Sequence, residues 1–117
     1  ALASASRFRV GATLVYPERL AIERDGVASA LEPRIMEVLV ALAERAGEVV
    51  SAEQLLIEVW RGTFYGDNPV HRAIAQLRRH LGDPSCIATI RKRGYRLVAP
   101  VAFPEDYRTH PLQASGW

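Results

Sequence analysis

The sequence predicts an α+β domain: an antiparallel sheet, three helices, then a β-hairpin. Three observations carry this. Apolar residues alternate at period two over residues 7–31 and again over 87–99. Between them, three stretches repeat apolar residues at helical spacing. Turn formers fall at the junctions: Asp25-Gly26, Gly47 and Gly82-Asp83-Pro84.

The elements follow in order. Phe8 and Val10 alternate with Arg7 and Arg9, and Leu14-Val15-Tyr16 leads to a turn at Pro17-Glu18. Leu20 and Ile22 alternate with charged neighbours, Asp25-Gly26 signals a hairpin, and residues 27–31 return. Helix one is expected over 33–47, with Pro33 in its first position and Gly47 as its stop. Its stripe is Ile35, Leu39, Leu42 and Ala46. Helix two opens on a capping box, in which Ser51 and Gln54 satisfy each other's backbone N–H groups. Leu55, Leu56, Val59 and Trp60 form its buried side. A loop over 61–67 follows. Helix three is expected over about 68–81, capped by Asp67 or Asn68, with Val70, Ile74, Leu77 and Leu81 inward and Arg72, Gln76 and Arg79 outward. The hairpin turns over 91–94. Residues 7–101 are expected to form the domain, 1–6 an N-terminal extension and 102–117 a tail or linker.

Composition narrows the function. A chain of 117 residues, 49% hydrophobic and 24% charged, can bury a core without metal or disulfide. Its single cysteine, Cys86, has no metal-ligand spacing around it and fits a reducing compartment. No enzyme is expected. His71 and His80 share a helix at non-ligand spacing, and no glycine-rich phosphate loop or metalloprotease motif is present. No cofactor or metal is called for.

Charge is the stronger clue. Residues 61–97 carry eight cations against two carboxylates, a net +6, while residues 1–60 are net −3 and residues 98–117 net −1. A basic helix beside a basic hairpin tip suits a phosphate backbone and a groove. The order fits a winged helix-turn-helix with helix three in the major groove of double-stranded DNA and wing 91–94 on the minor groove or backbone. Arg72 and Gln76 are the candidates for base contact, since Arg pairs bidentately with guanine and Gln with adenine. Asn68, His71, Arg79, Arg91, Lys92 and Arg93 are candidates for backbone or minor-groove contact; Asn68 is equally a helix cap and His71 equally a solvated side chain. Arg78 is expected to pair with Glu58 or Glu53 inside the fold. Tyr95 is expected to pack the wing and Trp60 to join the core. Phe64 and Tyr65 either fold back or meet a partner. Two rivals remain: a protein-interaction module whose basic face meets an acidic partner, and RNA binding, ranked last because the sheet offers no aromatic platform.

Four segments together resemble a known family: Gly47-Glu48-Val49-Val50-Ser51, Glu58-Val59-Trp60, Gln76-Leu77-Arg78-Arg79 with Leu81-Gly82-Asp83, and Arg93-Gly94-Tyr95-Arg96. They are similar to the OmpR/PhoB-type winged-helix effector domain, on the branch of ToxR- and CadC-like bacterial transcriptional regulators. The resemblance implies a four-stranded N-terminal sheet and helix three as recognition helix. It implies that loop 61–66, with Phe64 and Tyr65, faces RNA polymerase, and that protomers bind DNA as dimers or in tandem. It also implies a cytoplasmic, DNA-associated domain, anchored in the inner membrane in that branch. Two positions depart from the pattern. Glu32 stands where many members place a capping Thr, and Arg91 stands where the membrane-anchored branch usually has Pro.

Overall fold

The computed structural model describes residues 7–103 apart from Tyr65 and Asp67. The expected extension 1–6, and all but the first two residues of the expected tail, lie outside the described residues. Strands β1 (Phe8–Val10), β2 (Thr13–Tyr16), β3 (Ala21–Arg24) and β4 (Val27–Ala30) form an antiparallel meander. Asp25 and Gly26 both take positive φ, 52° and 78°, as a two-residue hairpin turn requires. Alternation puts Phe8, Val10, Val15 and Ile22 on the buried side.

This sheet has five strands rather than four. The last strand, β8 (Val101–Ala102), pairs antiparallel with β1 in the register Val10↔Val101. The Gly11 N–H donates to the Pro100 carbonyl at 2.8 Å, and the Phe103 ring lies 5.1 Å from that of Phe8. Sheet and packing therefore run past residue 101, and the end of the fold is tied to its beginning. A two-residue strand is too short to show a period in sequence.

Helix α1 (Pro33–Glu44) begins with Pro33 and buries Ile35, Met36 and Val38–Ala43. It stops three residues before Gly47, so Ala46, expected on the stripe, is exposed beyond the helix end. Gly47, at φ 82°, turns the chain and donates its N–H to Leu97 at 3.1 Å. That turn delivers a strand absent from the sequence expectation, β5 (Val49–Val50). It pairs with β7 (Gly94–Leu97), which pairs in turn with β6 (Ile87–Ile90). The wing is thus a three-stranded sheet.

Helix α2 (Ala52–Trp60) is capped by the Ser51 hydroxyl, which accepts from the Gln54 N–H at 3.0 Å. The reciprocal half of the capping box is not made. Gln54 Nε2 donates instead to Glu58 at 2.7 Å, and Arg45 grips the same carboxylate at 3.1 and 2.8 Å. The charge-assisted bond from Nε2 holds the Gln54 amide toward Glu58 rather than back toward the Ser51 N–H. Leu55 and Val59 are fully buried, while Leu56 and Trp60 pack half-buried against the core. No helix among the described residues is long and apolar enough to cross a membrane.

Gly94 is where the wing meets this frame most tightly. At φ 144°, a Cβ there would overlap the Val50 carbonyl oxygen. We expect Gly94→Ala to lower stability by about 2–4 kcal/mol in urea unfolding, through strain and loss of the β5–β7 approach. An unchanged midpoint would show that this close approach is not required.

Candidate nucleic-acid interface

Helix α3 (Val70–Leu81) buries Val70, Ala73, Ile74, Leu77 and Leu81. Its other side is polar: His71, Arg72 and Arg79 are exposed with Ala75, and Gln76 is half-buried. Spacings of four and three put Arg72, Gln76 and Arg79 on one face. The helix begins at Val70, two residues later than expected. The Asn68 side-chain oxygen accepts from the Val70 N–H at 2.9 Å, so Asn68, itself solvent-exposed, secures the helix end. The connection from α2 accordingly runs over 61–69. Asp67, the other expected cap, lies outside the described residues, as does Tyr65. Phe64 is 38% exposed, and Ile57 on α2, which sequence reasoning passed over, is 60% exposed.

The wing tip presents Arg91, Lys92 and Arg93 to solvent. Lys92 takes φ 63°, and the Arg93 N–H closes the turn on the Ile90 carbonyl at 2.9 Å. Two contacts bind wing to helix. The buried Tyr95 hydroxyl meets His71 Nδ1, across 24 residues of sequence. Burial pushes the Tyr95 phenol above its ordinary pKa, partly offset by Arg78, so the hydroxyl stays protonated at neutral pH. Between them opens a cleft of about 310 Å³, lined among others by Ser51, His71, Thr89, Lys92 and Arg93.

The second contact corrects an expectation. Arg78 does not pair with Glu58 or Glu53. It donates to the Ile87 carbonyl at 3.1 and 2.7 Å and to the Thr89 hydroxyl at 2.8 Å. Glu58 is already engaged by Arg45, and β6 brings an unpaired edge carbonyl to Arg78. Arg96, opposite Val49 and Ala88 in the ladder, has a buried Nε without a partner among the described residues. The six exposed cations left in the segment are Arg61 at the end of α2, Arg72 and Arg79 on the helix, and Arg91, Lys92 and Arg93 on the wing. The preceding segment is acidic: residues 32–60 carry six glutamates against two arginines.

Comparison with known proteins agrees with this geometry. The family described as "Transcriptional regulatory protein, C terminal" matches residues 26–97. The transcriptional activator CadC of Escherichia coli K12 is 41% identical over 112 residues, covering 92% of this chain and 22% of its own length. The chain thus spans about a fifth of that relative. The solved DNA-binding domain of E. coli CadC superposes with a TM-score of 0.77 at 38% identity, covering 83% of this chain and 95% of that one. The DNA-binding domain of Klebsiella pneumoniae RstA, solved in complex with the RstA box, gives 0.67 at 28% identity, covering 80% and 98%.

Arg78 and Arg79 are neighbours with opposite surroundings, which makes a direct test. Arg78→Ala should cost about 1–3 kcal/mol of stability by orphaning the Ile87 carbonyl and Thr89. Arg79→Ala, on the open face, should stay within about 0.5 kcal/mol of the parent. Equal effects in thermal unfolding would contradict the assignment of Arg78 to the fold.

Proposed function

The chain belongs to the family of transcriptional-regulator C-terminal domains, OmpR/PhoB-type winged helices, and from that premise we propose how it reads DNA. It is a sequence-specific double-stranded DNA-binding domain of a bacterial transcriptional regulator. In our reading α3 enters the major groove and the wing reaches the adjacent minor groove or backbone. The observation that carries this is the outward row of exposed Arg72, half-buried Gln76 and exposed Arg79 on α3, flanked by three free cations at the wing tip. The cations release counterions from phosphate, and the row supplies donors and acceptors to base edges.

Individual roles follow from position. Arg72 and Gln76 contact bases, Gln76 reaching out from a half-buried stem. Arg79, His71 and Asn68 contact the backbone along the helix. Arg91, Lys92 and Arg93 grip phosphate or the minor groove. Phe64, with Tyr65 beyond the described residues, offers an apolar contact to RNA polymerase from loop 61–66. The exposed Ile57 on α2 is a second large apolar side chain open to a partner. Protomers associate on DNA as dimers or in tandem. The domain works in the cytoplasm on DNA, within a longer protein anchored in the inner membrane as CadC-like regulators are.

Selection of duplexes from a random pool supplies the cognate site and its repeat spacing. On that site Arg72→Ala should lose about 1–3 kcal/mol of binding, while affinity for scrambled duplex changes little. Arg93→Ala should weaken both duplexes and reduce the steepness of the salt dependence by about 0.9. Failure of the pool to enrich any sequence, or wild-type binding by both variants, would sink this reading. Absence of duplex affinity at low salt would favour an acidic protein partner instead.

A further inference from the structure

Arg24 lies outside the basic segment, on β3 of the N-terminal sheet. Yet its guanidinium reaches the opposite end of α3. Nη1 donates to the His80 carbonyl at 3.3 Å, across 56 residues of sequence. The group sits flat on Gly82, where a Cβ would overlap it. Among the described residues no carboxylate pairs with Arg24.

The local chemistry explains the contact. The last carbonyls of a helix lack intrahelical partners, and the helix C-terminus favours a cation. Gly82 ends α3 at φ 72°, with its N–H on the Arg79 carbonyl, which leaves the His80 carbonyl for another donor. Glycine is needed there twice over: for the left-handed turn and for the space that the guanidinium fills. The contact is bordered by an open cleft of about 230 Å³ formed by Ile22, Asp25, Val27, Ser29 and His80. Leu81 buries the inner side of this helix end, and the cleft leaves its His80 side open.

We propose that Arg24 is a positioning residue for DNA reading: it fixes the C-terminal end of α3 against the N-terminal sheet, and so sets the register of Arg72 and Gln76 on the bases. The inference rests on the proposed DNA reading. A reading constellation must be held within about 0.5 Å of its working geometry. A helix free to slide or tilt at one end moves every outward side chain together. Phosphate contacts from long cations tolerate that movement; bidentate base contacts do not. Loss of Arg24 should therefore erode specificity while leaving the electrostatic grip intact.

The test uses the whole chain, the duplex selected by the wild type, and a scrambled duplex. Arg24→Ala should bind the selected duplex at least fivefold more weakly. Its affinity for scrambled duplex should stay within twofold, with the same salt slope. Arg24→Lys, which keeps a cation at the helix end, should recover most of the loss. Circular dichroism checks that each variant is folded; should Arg24→Ala melt below the assay temperature, Arg24→Gln is read by the same criteria. Equal losses on both duplexes, or no loss on the selected one, would overturn the proposal. So would a flatter salt slope, which would put Arg24 on phosphate. If the wild type enriches no duplex, the DNA reading itself fails; if it does and Arg24→Ala matches it, only the positioning role fails.

Discussion

Burial of one stripe of α3 decides what the rest of this molecule can do. Val70, Ala73, Ile74, Leu77 and Leu81 are buried where α3 packs against α1, α2 and the turn at Pro84–Cys86, and Ile74 and Leu77 are almost fully inaccessible. A large aliphatic side chain buried in this way contributes about 1.5–3 kcal/mol. No competing rotation of the helix recovers that energy, because every other stripe of α3 carries charge. Once the apolar stripe is inward, the 3.6-residue period puts Arg72, Gln76 and Arg79 outward. The proposed DNA-reading face is the complement of the packed one.

Packing sets rotation, but polar contacts set position along the helix axis. Three of them are spaced along α3. His71 meets Tyr95 at the N-terminal end, Arg78 binds Ile87 and Thr89 near the middle of the wing, and Arg24 holds the His80 carbonyl at the C-terminal end. Each partner belongs to a different strand. The sheet and wing therefore do more than cover the helices: they fix where the helix lies. This also accounts for the close tolerances at Gly82 and Gly94, where side chain or backbone comes too near for any Cβ.

What the sequence makes legible follows from the range of the interactions involved. Periodicity is local, so the α3 stripe, the Asp25-Gly26 hairpin and the basic wing tip are all visible in the chain. The Ser51 cap is visible for the same reason, yet its reciprocal partner is not, because Gln54 answers to Glu58 and Arg45 instead. The two-residue strands β5 and β8 have no period to detect and exist only because β7 and β1 present free edges. Arg78 shows the same limit. Its position beside the stripe marks it as structural, but its partner is a backbone carbonyl, which no residue type announces.

The arginines of the basic segment consequently do not form one class. Charge alone counts them equally, whereas hydrogen bonding divides them. Arg78 spends Nε and Nη2 on the wing, which ties its guanidinium to β6. Arg79, one position on, faces solvent with all of its donors available. Arg24, outside the segment altogether, bears on the same helix without any need to touch DNA. An electrostatic map of this domain would rank residues 61–97 as the interface and stop there. The hydrogen-bond geometry separates cations left open for the proposed grip on DNA from cations engaged within the fold, and it adds Arg24 of the far sheet to the second group.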